Sequence, residues 1–164
     1  MKKTLLMPLA ISIIGLFSIP AAFAQQNTLD KMRSSGAVTM GVRESSGALS
    51  YTLGDGKYAG FHVEICNNVL RDIQKQLNLK TLDIKYTPVT SQNRIPLLQN
   101  GTVDIECGST TNNATRQKDV AFAVTTYVEE IRIAVKANSG ITSLNQLNGK
   151  KVATTTGTTS VQLL

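Results

Sequence analysis

The 164-residue chain is 41% hydrophobic and 17% charged, the balance of a folded globular protein and not of a disordered or fibrous one. Lys and Arg number 17 against 11 Asp and Glu, a formal charge of +6, but aromatics are only 5% and Trp is absent. The basic residues are scattered, with no stripe and no stacking platform, which argues against a nucleic-acid partner.

The chain opens on Met1-Lys2-Lys3, an apolar run "LLMPLAISIIGLFSI" (5–19) and "PAAFA", with small residues at Ala22 and Ala24. That is the pattern of a secretory signal peptide cut after Ala24, residues 1–24. A membrane anchor is the alternative. Pro8 and Pro20 interrupt the run, and it falls short of the ~20 residues a span needs. No cysteine sits at the cleavage point, so a lipid-anchored form is not expected. From Gln25 onward the length suits one domain with one core.

"TLDKMRSSG" predicts a short helix with Thr28 as N-cap and Gly36 as stop. "AVTMGV" (37–42) reads as a strand, and "YTLGDGKYAGF" as a hairpin turning at Asp55-Gly56. Apolar residues at Phe61, Ile65, Val69, Ile73 and Leu77 predict an amphipathic helix. "LDIKYTPV" (82–89) is a strand, "NRIPLLQNG" a helix closed at Gly101, and "VDIEC" (103–107) a strand. "TRQKDVAFA" then begins as a helix, and "EEIRIAVKA" (129–137) alternates as a strand. "TSLNQLNGK" predicts a helix, "KVATTT" a strand and "GTTSVQLL" the first turns of another helix. Strands alternating with helices imply an α/β class with a mostly parallel sheet. "SVQLL" carries no stop signal, so the chain is expected to end inside an element, as a fragment would.

In open α/β sheets ligands bind beyond the carboxyl ends of the strands. Arg43 follows the first strand, Ser91 and Arg94 follow "IKYTPV", Ser109, Thr111 and Arg116 follow "VDIEC", and Gly157, Thr158 and Thr159 follow "KVATTT". Hydroxyls, helix starts and planar guanidinium forks together suit a small anion. One arginine would serve an α-carboxylate, and two more suggest a second carboxylate on the ligand. Plain helix capping by the hydroxyls is the alternative, with Arg94 paired to Asp83 and Arg43 to Glu44.

Catalytic patterns are lacking. His62, the one histidine, falls at the start of the long helix, off its apolar face, and reads as a solvated residue. There is no G-x-S-x-G elbow, no phosphate-binding loop and no zinc spacing, so neither cofactor nor metal is expected. Cys66 and Cys107 are either a disulfide or two buried thiols, and export to an oxidising compartment favours the bridge. Asn100-Gly-Thr102 and Asn113-Ala-Thr115 match glycosylation sequons, a pattern common by chance.

The run "TSQNRIPLLQNGTVDIECGSTTNNATRQKDVAFA" (90–123), with "LDKMRSSGAVTMGVRESSGALSY", "GFHVEIC" and "LNGKKVATTTGTTS", resembles the periplasmic glutamate/aspartate-binding proteins of ABC-type amino-acid transporters, solute-binding protein family 3. The resemblance implies a type II periplasmic-binding-protein fold of two lobes closing on ligand. Lobe one would span 25–131 and be largely present, and 132–164 would be the truncated start of lobe two. By matched position, Arg116 with Thr111 resembles the holder of the α-carboxylate, and Ser109 the acceptor from the α-ammonium. Arg43, Ser91 and Arg94 resemble the side-chain carboxylate set, while Thr158 and Thr159 resemble the lobe-two helix start. The implied partners are L-glutamate or L-aspartate and an inner-membrane ABC permease, with a monomeric receptor free in the periplasm. Two other readings stay open: a dehydratase-type enzyme on the same fold, which needs a positioned acid near the ligand, and the sensor domain of a signalling receptor.

Overall fold

The computed structural model describes residues 27–163. The expected signal peptide lies outside the described residues. The first helix, α1, spans Thr28–Ser35. Its cap is Asn27, not Thr28: the Asn27 side chain accepts from the Leu29 N–H at 2.9 Å. Gly36 (φ 64°) ends the helix in the left-handed conformation.

Strand β1 (Ala37–Val42) is the centre of a three-stranded sheet, with β4 (Asp83–Pro88) on one side and β5 (Ile105–Cys107) on the other. Both pairings are parallel, with Val38 opposite Ile84 and Val42 opposite both Pro88 and Cys107. The carboxyl ends of all three strands therefore open on one edge. A second, antiparallel pair, β2 (Tyr51–Gly54) and β3 (Lys57–Ala59), forms the expected hairpin. Asp55 (φ 50°) and Gly56 (φ 70°) take consecutive positive φ values, as the hairpin's tight turn requires.

Helix α2 (Phe61–Gln76) packs over the core of Met32, Val38, Met40, Val42, Val63, Leu70 and Cys107. Its inward face is Val63, Cys66, Leu70, Ile73 and Leu77, which keeps Ile73 and Leu77 of the predicted stripe; Phe61 and Val69 are 47% and 44% exposed. A strict four-residue step winds off one helix face, whereas alternating steps of three and four stay on it. Helix α3 (Arg94–Gln99) leads back to β5. The Asp104 carboxylate ties the layers together, accepting from Lys31 Nζ at 2.8 and 2.9 Å and from the Thr39 N–H at 2.8 Å.

After β5 the regular pattern stops. The helix expected at "TRQKDVAFA" is one 3-10 turn, Arg116–Lys118, and the later helices are 3-10 turns at Leu144–Leu147 and Thr159–Leu163. The strands expected at 129–137 and 151–156 do not form. A strand is defined by a hydrogen-bonded neighbour, and none pairs with these segments among the described residues. Their apolar alternation consequently faces solvent, as at Ile131 (48% exposed). No helix among the described residues is long and apolar enough to cross a membrane.

Candidate functional site

Three strand ends converge through Arg43. Its Nη1 donates to the Val89 carbonyl beyond β4 at 2.9 Å, its Nη2 to Ser91 Oγ at 3.2 Å and its Nε to Ser46 Oγ at 3.1 Å. Ser46 Oγ in turn lies 3.0 Å from Ser109 Oγ, just past β5. The pairing with Glu44 considered from sequence does not occur; Arg43 holds hydroxyls and a carbonyl, and among the described residues it forms no salt bridge.

Arg94, the first residue of α3, is 2% exposed, and its Nε and Nη1 make no hydrogen bond. It does not pair with Asp83, which lies at the opposite end of β4 and faces Lys85 at 4.0 Å. Burial draws the Arg94 pKa down to about 10, with Arg116 and Arg43 adding to the fall and Glu106 opposing it.

Arg116 is 9% exposed, within its 3-10 turn. Asn113 Oδ1 accepts from its N–H at 2.9 Å. Nη1 donates to the Thr111 carbonyl and Nη2 to the Gly157 carbonyl, both at 3.0 Å. Thr111 thus supports the arginine through its backbone. Gly157 brings the stretch 155–158 against the site: a Cβ there would meet the Ser91 carbonyl oxygen at 2.6 Å. Thr158 Oγ1 donates back to the Thr155 carbonyl at 2.7 Å, and Thr159 opens the last 3-10 turn, so both hydroxyl residues stand beside the arginines' contact segment. Of the sequence-predicted set, Arg43, Ser91, Arg94, Ser109 and Arg116 are gathered at one edge, with Thr111, Thr158 and Thr159 at its margin.

Two clefts open beside these residues. One of about 530 Å3 is lined by Ser46, Leu49, Phe61, Ser109, Tyr127 and Glu129 among others. The other, of about 160 Å3, is lined by Arg43, Val89, Ser91, Gln92, Thr155 and Thr156 among others.

Sequence reasoning missed two residues. His62 is half-buried and held through both ring nitrogens: Nδ1–H donates to the Gly108 carbonyl, and Nε2 lies 2.9 Å from Thr126 Oγ1. Glu106, on β5, carries a buried Oε1 with no hydrogen bond. Burial pushes its carboxyl above the usual carboxylate range, while the nearby Thr110 hydroxyl, Arg94, Arg43 and His62 favour its ionised form. The signal available was an acid placed between Ile105 and Cys107 in an otherwise apolar strand.

Gly108 is the contact point between Glu106 and Arg43. A Cβ there would meet Arg43 Cγ and Glu106 Oε1, both at 2.4 Å. Gly108→Ala is expected to push the arginine off its contacts and to destabilise the protein by about 1–3 kcal/mol, read as a lower melting temperature. An unchanged melting temperature would show that the two side chains move aside freely.

Cys66, on α2, and Cys107, ending β5, are joined by a disulfide with Cα atoms 6.3 Å apart. Among the described residues no group of three or more His, Cys, Asp or Glu is placed to hold a metal ion. What the site offers chemically is converging guanidinium and hydroxyl donors, an arrangement suited to small carboxylates.

Residues 38–160 match the family described as bacterial extracellular solute-binding proteins, family 3. The glutamate/aspartate import solute-binding protein of Escherichia coli (strain K12) is 44% identical over 161 residues, which are 98% of this chain and 53% of that protein. The L-glutamate/L-aspartate-binding protein of Pseudomonas aeruginosa (strain PAO1) is 44% identical over 155 residues, 93% of this chain and 51% of that one. The chain spans about half the length of these curated relatives. Among solved structures, the cysteine-binding protein of Campylobacter jejuni aligns with a TM-score of 0.57 at 22% identity, covering 74% of this chain and 47% of that one. That likeness speaks to the fold.

Proposed function

Since the chain belongs to the bacterial extracellular solute-binding proteins of family 3, with the α/β fold of type II periplasmic binding proteins, we propose that it serves in an exported receptor for L-glutamate and L-aspartate. The receptor would deliver them to an inner-membrane ABC permease. The observation carrying this reading is the convergence of Arg43, Arg94 and Arg116 from three strand ends, none of them in an ion pair among the described residues. Arg116 takes the α-carboxylate and Ser109 accepts from the α-ammonium. Arg43, Ser91 and Arg94 take the side-chain carboxylate. In this reading residues 25–131 form lobe one and 132–164 begin lobe two, from which Thr158 and Thr159 reach the ligand on closure. Ligand touching both lobes favours the closed form, so the work is a shift of population with no bond made or broken. The signal peptide, cut after Ala24, places the receptor in the periplasm, as a monomer.

Titration calorimetry of the full-length protein with L-glutamate, L-aspartate and L-glutamine tests this reading. The two acidic amino acids are expected to bind and glutamine to bind far more weakly. Arg94→Ala is expected to weaken glutamate by at least tenfold more than glutamine, about 1.4 kcal/mol of selectivity. Equal losses would remove Arg94 from the side-chain role.

Glu106 favours a second reading, an enzyme of dehydratase type, because it is an acid beside the arginines. Incubation with prephenate, followed for an aromatic keto acid, separates the two readings.

A further inference from the structure

Among the described residues Glu106 is the buried carboxyl that acts on Arg94, and the binding roles above leave it without a task. It stands on β5 under Gly108, with Oε1 making no hydrogen bond. The charged or titratable groups that act on it come from each element packed around it: Arg94 from α3, Arg43 from the end of β1, and His62 from the start of α2. The Thr110 hydroxyl also faces it, without a hydrogen bond of its own. Arg94 is its complement, 2% exposed, with Nε and Nη1 unpartnered. No salt bridge joins the two among the described residues, so their charges act through space.

We propose that Glu106 is the resident counter-ion of the arginine cluster, and that it sets how strongly the site prefers a dicarboxylic over a monocarboxylic amino acid. Three guanidinium groups brought together at one buried edge repel one another. In its ionised form, which the arginines favour and burial opposes, one carboxylate beneath them offsets part of that repulsion while the site is empty, and leaves two positive charges for a ligand with two carboxylates. The same negative charge repels the arriving side-chain carboxylate, so it limits how tightly an acidic ligand is held. Glutamine, whose side chain carries no charge, does not feel that repulsion. The selectivity half of the proposal rests on the acidic-amino-acid reading; the counter-ion half does not.

Glu106→Gln keeps the shape and removes the charge. In the full-length protein it is expected to lower the melting temperature by about 5 °C, because Arg94 loses its compensation. The pair Glu106→Gln/Arg94→Gln is expected to melt higher than the two single losses would sum to, since the charge left stranded by either change alone is gone. If Glu106→Gln alone does not fold, the pair is expected to restore folding. Additive losses, or a pair that stays unfolded, would overturn the counter-ion role. By calorimetry, Glu106→Gln is expected to raise the ratio of glutamate to glutamine affinity on the order of tenfold. A packing role alone would shift both ligands equally, and an unchanged ratio would overturn the selectivity role. Should neither amino acid bind the wild type, the receptor reading fails and the selectivity half with it, while the melting comparison still decides the counter-ion half.

Discussion

Arg116→Ala is expected to abolish amino-acid binding by the full-length protein. The guanidinium is fixed by the Thr111 and Gly157 carbonyls, each 3.0 Å away, which orient it without cancelling its charge. Arginine carries five N–H donors, so two such bonds leave others free for a carboxylate. At 9% exposure water competes little for them. Loss of a charge-assisted, two-point contact costs about 2–4 kcal/mol, or roughly thirty- to a thousandfold in affinity. Arg116→Lys retains the charge without the planar fork, and its affinity is expected to fall between wild type and alanine. Calorimetry reads all three. An alanine variant that binds L-glutamate as wild type does would refute the α-carboxylate assignment.

Opening the Cys66–Cys107 bridge is expected to produce the largest loss of stability. The bridge links α2 to the end of β5 across 41 residues of sequence. For a loop of that length the chain-entropy account gives about 4 kcal/mol. A melting temperature at least about 10 °C lower is therefore expected on reduction, or in the Cys66→Ala/Cys107→Ala pair. Cys107 directly precedes Gly108 and Ser109, so the same change is expected to weaken ligand binding. Identical melting curves with and without reductant would show that packing alone holds α2 to the sheet.

Much of this arrangement was legible because local chemistry and global fold agree. Asp55-Gly56 reads as a hairpin turn because that turn needs two positive φ values, and both residues adopt them. Arg43, Ser91, Arg94 and Ser109 were legible as a group because parallel strands deliver their carboxyl ends to one edge. Glu106 was not legible as a site residue, because nothing local tells an exposed strand acid from one buried among arginines of other elements. His62 was misread for the same reason: its partners, Gly108 and Thr126, are distant in sequence. The strands expected at 129–137 and 151–156 mark the opposite limit. Alternation states which side chains share a face, but a strand also needs a neighbour's hydrogen bonds. On α2 the helix was correct and its inward face only in part, at Ile73 and Leu77, since equal four-residue spacing drifts around the axis.

Arg43 carries a consequence for the energetics of recognition. Its three nitrogens are bonded to Ser46, Val89 and Ser91 within the fold. A free arginine side chain holds roughly 2 kcal/mol of rotamer entropy. In this protein the side chain's own partners in the fold restrict that freedom. The guanidinium is therefore preorganised, and the affinity of the corner it builds is set by electrostatics and fit, with little ordering left to oppose it.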